Sequence, residues 1–94
     1  MNLAEIIKEK RGTIVDVRTP GEFMGGNVSS SINIPLQELQ QRLGEVKKLK
    51  IPLVLCCASG GRSEMATAFL SSMGIECING GSWLEVNYYQ SQTV

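Results

Sequence analysis

A chain of 94 residues, 43% hydrophobic and 19% charged, has the composition of one small globular domain that folds without disulfide staples. Nine basic residues balance nine acidic ones, which argues against general binding to nucleic acid or membrane surfaces and leaves only a local basic pocket open. No apolar run approaches the roughly 20 residues of a membrane span, and the amphipathic start MNLAEIIKEKRG has no signal-peptide core, so residues 1–94 read as one cytoplasmic domain.

In chain order, Leu3 to Lys10 predicts a short amphipathic helix ended by Gly12. The β-branched run from Thr13 to Val17 predicts a buried parallel strand. After it, Thr19 is placed to cap a helical turn with Pro20 first and Glu22 at the capping-box position, and Gly25-Gly26-Asn27 breaks that turn. Ser31 to Pro35 predicts a second strand. Leu36 to Leu49 has a helical pattern with Leu36, Leu39, Leu43 and Val46 on one face, weakened at Gly44. Lys47, Lys48 and Lys50 read as its solvated end. Leu53 to Cys56 predicts a third strand. Ser63 to Met73 predicts a helix with Met65, Ala66, Phe69, Leu70 and Met73 inward, closed by Gly74. Ile75 to Ile78 predicts a fourth strand, Asn79-Gly80-Gly81-Ser82 a turn, and Trp83 to Tyr89 a last helix with a frayed tail. Met24, Met65 and Met73 read as core filler or pocket lining. The alternation predicts a parallel sheet with helices on both faces, and such sheets bind ligands at the carboxyl ends of their strands.

Arg18 and Cys57 lie at such ends. The loop Cys57-Ala58-Ser59-Gly60-Gly61-Arg62-Ser63 pairs small residues with the start of a helix. Its backbone is free to curl consecutive N–H groups around an anion, and Arg62 adds a planar cation. A thiol at that rim is stabilised as thiolate. An ordinary strand-to-helix turn with Cys57 buried is the bland alternative. The chain contains no histidine, which removes Cys-His and Ser-His-Asp mechanisms and imidazole metal sites. Three cysteines, two of them adjacent, fit neither a disulfide framework nor zinc spacing. No metal or cofactor is expected. Arg18 and Glu22, four apart, read as a surface ion pair. Cys56 and Cys77 read as core, and Trp83 as a core lid.

Cys57, Gly60, Arg62 and Ser63 stand where the rhodanese family has its C-x-x-G-x-R-S loop, and the chain resembles that family over nearly its whole length. Asp16-Val17-Arg18 with Glu22 and Phe23 is similar to the D-V-R-x-x-x-E-[FY] segment. Gly26 through Pro35 is similar to G-H-I-x-G-A-x-N-I-P, with Asn27 in place of histidine and Ser30-Ser31 in place of Gly-Ala. Gly80-Gly81-Ser82-Trp83 resembles the G-G-x-x-x-W region, with the tryptophan early. The resemblance implies a three-layer rhodanese-like fold with four to five parallel strands. It also implies sulfur transfer: the Cys57 thiolate takes the outer sulfur of thiosulfate or a similar small anion, expels sulfite, and passes the persulfide sulfur to cyanide, a thiol or a protein thiol. Ala58, Ser59, Gly60, Gly61, Arg62 and Ser63 would then bind substrate, with Asp16 and Arg18 in support. Two other readings stand beside it. Counted from Cys56, the loop has the C-x5-R spacing of cysteine-dependent phosphatases and arsenate reductases. A catalytically silent interaction module is the third.

Overall fold

Four short apolar strands alternate with helices and lie side by side, all parallel, in a computed structural model that describes residues 2–92. The elements are α1 (Leu3–Lys8), β1 (Thr13–Asp16), α2 (Pro20–Met24), β2 (Ile32–Asn33), a 3-10 turn (Leu36–Glu38), α3 (Leu43–Val46), β3 (Leu53–Cys57), α4 (Gly61–Ser72), β4 (Cys77–Ser82) and α5 (Trp83–Ser91). The strand order is β2-β1-β3-β4, so β3 sits inside the sheet with a neighbour on each side. All five of its residues are buried, as the continuous run Leu53-Val54-Leu55-Cys56-Cys57 requires of a strand covered on both faces.

Alternation along the strands sorts the core into two layers. Val15, Val17, Leu53, Leu55 and Cys57 pack with Leu39, Val46, Ala66 and Leu70, under the 3-10 turn, α3 and α4. Val54 and Cys56 face the other way, onto Ile6 and Ile7 of α1, Val28 and Val86 of α5. The helices therefore cover both faces, and the two adjacent cysteines belong to different layers.

Local chemistry explains several boundaries. The Asn2 side chain accepts from the Glu5 N–H at 3.2 Å and starts α1, which ends at Lys8, two residues sooner than expected. Thr19 and Glu22 form the expected reciprocal capping box around α2, with Pro20 at its first position.

Elsewhere the chain departs from its local pattern. Leu36 to Leu49 is not one helix but a 3-10 turn and a four-residue α3. Leu39 and Val46 still reach the core, so the apolar stripe is real while the backbone between is not helical. Gly44, which lowers helix propensity by about 1 kcal/mol relative to alanine, sits inside α3 and keeps it short. β2 has two residues rather than five; Pro35 has no N–H with which to extend the ladder. Asn79 to Ser82 is strand rather than turn: β4 runs through it, with an irregularity that passes Gly80 between the pairs Leu55–Asn79 and Cys56–Gly81. α4 begins at Gly61, earlier than expected. Met24, Met65 and Met73 are 83%, 63% and 43% exposed, so they do not fill the core. α5 extends to Ser91, and the expected frayed tail lies largely outside the described residues.

Candidate active site

β3 brings Cys57 to the carboxyl edge of the sheet, and three residues, Ala58, Ser59 and Gly60, turn the chain into α4. Gly60 is the N-cap of α4 at φ 99°, a left-handed conformation that costs a residue with a Cβ about 1–2 kcal/mol. No side chain caps this helix. Its unpaired N–H groups turn to the sulfur instead. Cys57 Sγ accepts from the Gly60 N–H at 2.9 Å and from the Ser63 N–H at 3.4 Å, and Ser63 Oγ lies 3.5 Å away. Burial, with the residue only 1% exposed, pushes the thiol up. The Ser63 hydroxyl and the backbone N–H groups of Ser63, Gly60 and Ser59 outweigh that effect and hold the thiol below its ordinary value.

Ser63 is itself fixed. Its Oγ is 2.7 Å from Asn79 Oδ1 and 3.1 Å from the Gly60 carbonyl. Asn79 Oδ1 also accepts from the Gly81 N–H at 2.9 Å, and its amide donates to the Gly60 carbonyl at 3.4 Å. A hydroxyl has one proton to give. With Cys57 protonated, S–H donates to Ser63 and Ser63 donates to Asn79. With Cys57 ionised, the hydroxyl proton is free to turn to the sulfur. Ala58 and Gly61 shape the loop without donating to Sγ.

The Arg62 donors go to Glu22, and the guanidinium acts on Cys57 through its charge. Its Nη1 and Nη2 donate to Glu22 Oε1 and Oε2 at 2.7 and 3.0 Å. The Arg62 guanidinium, with help from the Thr19 N–H and hydroxyl, holds the Glu22 carboxyl down at about 2. The expected Arg18–Glu22 ion pair is therefore replaced: Glu22 pairs with Arg62, and Arg18 reaches only the Glu22 carbonyl, at 3.3 Å.

Arg18 is buried and bidentate to Asp16, whose carboxylate also accepts the Arg18 N–H at 3.0 Å. Its Nη2 donates to the Gly26 carbonyl at 2.7 Å, and its guanidinium lies 4.7 Å from the Trp83 ring centroid. The Asn33 amide donates to the carbonyls of Asp16 and Arg18. Asp16 and Arg18 thus tie together the carboxyl end of β1, the loop after α2, and the start of α5 beside Cys57.

Asn79, Glu22 in its actual pairing, Asn33 and Gly26 are site residues that local sequence signals do not reveal. Asn79 and Glu22 act across 16 and 40 residues of chain. Cys56 is fully buried in the opposite layer and its thiol is pushed up to about 12, by burial first and then by Asp16, so the C-x5-R spacing counted from Cys56 is left without a thiolate facing the loop. Cys77 packs against α4, its sulfur 3.3 Å from Ser71 Oγ. Among the described residues no three His, Cys, Asp or Glu side chains converge as metal ligands.

A family model for the rhodanese-like domain matches residues 2–84. The chain belongs to this family. A rhodanese-related protein from Thermoplasma volcanium has a similar crystal structure, with a TM-score of 0.78 and 31% identity over 94% of this chain and 88% of that one. A protein of Pseudomonas syringae pv. syringae named thiosulfate sulfurtransferase GlpE is 29% identical over 97% of this chain and 88% of its own length. An uncharacterized protein of Bacillus subtilis, YqhL, is 38% identical over 69% of this chain and 51% of its own length. The chain spans about half the length of that protein and of a similarly related sulfurtransferase of Allochromatium vinosum. The rhodanese-like fold accounts for the four parallel strands and the two helical layers, and no helix among the described residues is long and apolar enough to cross a membrane.

Proposed function

We propose that this rhodanese-like domain is a sulfurtransferase that carries sulfane sulfur as a persulfide on Cys57. The observation that carries the proposal is the cradle of Gly60 N–H, Ser63 N–H and Ser63 hydroxyl around one buried sulfur, which favours its thiolate. With thiosulfate, the thiolate attacks the outer sulfur, a new S–S bond forms, and the S–S bond to the sulfonate breaks with its electron pair leaving on sulfite. The persulfide left on Cys57 bears the charge that the thiolate bore, so the same donors stabilise it. An acceptor thiolate, cyanide or a protein thiol then attacks the outer sulfur and releases Cys57 as thiolate. No general base is needed, because a thiol held below its ordinary value supplies the thiolate as the nucleophile.

In this reading Ala58, Ser59, Gly60 and Gly61 form the rim through which the donor enters, Ser63 holds the sulfur, and Arg62 fixes the rim to α2 through Glu22. Asp16 and Arg18 position β1 beside the loop. The sulfurtransferase name of the Pseudomonas relative supports the reaction class. A reducing compartment such as the cytoplasm keeps Cys57 available between turnovers, and residues 1–94 read as a single rhodanese-like domain.

The test is intact mass after incubation with thiosulfate or with a small-molecule persulfide. One sulfur atom should add, on Cys57; Cys57→Ser should abolish the gain and Cys56→Ser should keep it. Failure of every donor to add sulfur points to an interaction module. Sulfur-independent phosphatase activity lost in Cys56→Ser alone would favour the other cysteine.

A further inference from the structure

Sulfur chemistry at Cys57 leaves the amino end of the sheet unused, and that end is where the chain gathers positive charge. Lys8, Lys10 and Arg11 lead into β1, and Lys47, Lys48 and Lys50 lead into β3. The two segments touch: the Thr13 N–H donates to the Pro52 carbonyl at 3.1 Å, and the Thr13 hydroxyl to the Lys50 carbonyl at 2.8 Å. Every lysine of the chain lies in these segments, and among the described residues none pairs with a carboxylate. Arg11 meets only Glu9, at 3.5 Å between half-exposed side chains, a pair of little strength.

A cavity of about 530 Å3 opens at this end, lined by the exposed Lys10 and Arg11 and by the buried Ile6, Ile7 and Val54. Its volume lies within the range of small-molecule sites, and an apolar floor with a few charged groups is their usual construction. The apolar residues belong to the layer between the sheet and helices α1 and α5. Val54 is the second residue of β3 and Cys57 the last, so the sulfur site lies at the other end of the strand and takes no part.

The backbone around the cavity is held in a costly form. Lys10 (φ 55°) and Ser30 (φ 71°) are the non-glycine residues with left-handed backbone among those described, and both line the cavity. Lys10 follows the C-cap of α1, where its N–H donates to the Ile7 carbonyl at 3.1 Å and the Arg11 N–H to the Ile6 carbonyl at 2.9 Å. Glycine is the usual residue at such a position, because a side chain is disfavoured there. The helix end does not require a lysine; the cavity gains a cation from it. The same two bonds occupy carbonyls that would otherwise oppose an anion at the end of α1.

We propose that this cavity binds a small organic anion with an apolar body, of the class of a medium-chain carboxylate. The carboxylate meets Lys10 and Arg11, and the hydrocarbon lies on Ile6, Ile7 and Val54.

The test titrates the protein with octanoate, read by calorimetry and by the methyl NMR shifts of Ile6, Ile7 and Val54. Butyrate probes the tail, and octylamine reverses the charge on the same tail. Octanoate should bind saturably and move these methyls, while those of Leu39 and Leu70 in the opposite layer stay in place. Burying each methylene tightens binding by up to about fourfold, so butyrate should bind about tenfold more weakly or worse. Octylamine should also bind about tenfold more weakly, because it sets like charges together. In Lys10→Gly/Arg11→Gln the octanoate affinity should fall about fivefold or more. Glycine suits the left-handed position, so this variant should keep the urea midpoint of the native protein. Added salt should weaken octanoate binding in the native protein and change it little in the variant. Equal binding of octanoate and octylamine, an unchanged affinity in the variant, shifts confined to other residues, or no saturable binding would each overturn the site.

Discussion

Ser63 donates its amide N–H to the Cys57 sulfur and accepts the thiol proton at its hydroxyl, which in turn donates to Asn79 Oδ1. Ser63→Ala removes the hydroxyl and leaves the backbone donors in place. The thiol should then shift upward, and the pH profile of iodoacetamide alkylation at Cys57 should move with it, lowering the rate severalfold near neutrality. The sign follows from the folded thiol being held below its ordinary value. In the native protein reactivity persists as pH falls below the ordinary thiol range of about 8.5 and disappears only as pH passes through the folded value. The same ionisation contributes stability above the unfolded value, and that contribution is lost as pH falls through the folded one. Overlapping profiles for the two proteins would show that the backbone alone sets the thiolate. Glu22 stays ionised down to about pH 2, chiefly through its hydrogen bonds from Arg62, so the rim pair is intact wherever Cys57 reacts.

At the scale of elements, the passage of β4 past Gly80 aligns Asn79 and Gly81 with the loop. A Cβ on Gly80 would stand 2.8 Å from Val86 Cγ2, 2.9 Å from Val54 Cγ1 and 3.1 Å from the Leu55 carbonyl. Gly80→Ala should destabilise the domain by about 1–3 kcal/mol, the ordinary cost of overpacking a core, read as a lower urea midpoint. Sulfur loading should slow as well, because Asn79 is carried with the strand. Gly80 also marks the boundary of what the sequence makes legible. The capping box of Thr19, Pro20 and Glu22 is readable because all its partners lie within four residues. The loop from Cys57 to Ser63 is readable for the same reason, as is the four-residue apolar run before it. Gly80-Gly81 resembles a turn by local chemistry, yet pairing with β3 overrides that signal and makes it strand. Glu22 has a plausible local partner in Arg18, four residues away. It takes Arg62, 40 residues away, because Asp16 already occupies the nearer guanidinium. The leucine stripe from Leu36 identifies the buried face but not the backbone, since a 3-10 turn and a short helix present nearly the same side chains.

Over the whole molecule, neutrality conceals two unlike ends. The amino edge has clustered lysines and a cavity of about 530 Å3 lined by Lys10 and Arg11 above Ile6, Ile7 and Val54. The carboxyl edge has two arginines, Arg18 paired with Asp16 and Arg62 with Glu22. Between them runs one strand whose last two residues face opposite layers, Cys56 into the packing of α1 and α5, Cys57 into the loop. This gives the molecule two chemical clocks one residue apart. Cys57 reports the state of the site, whereas Cys56 reacts only when the inner layer opens, an event that for a central strand approaches global unfolding. Trypsin cleaves after Lys50 and Arg62, so the single peptide Ile51–Arg62 contains both sulfurs. Pulsed alkylation of the folded protein should give this peptide one label quickly and a second only at the unfolding rate, with urea accelerating the second step alone. Simultaneous double labelling would mean that the loop and the inner layer open together. Persistence of the single label would time, from one peptide ratio, how long the sheet stays shut while its edge remains reactive.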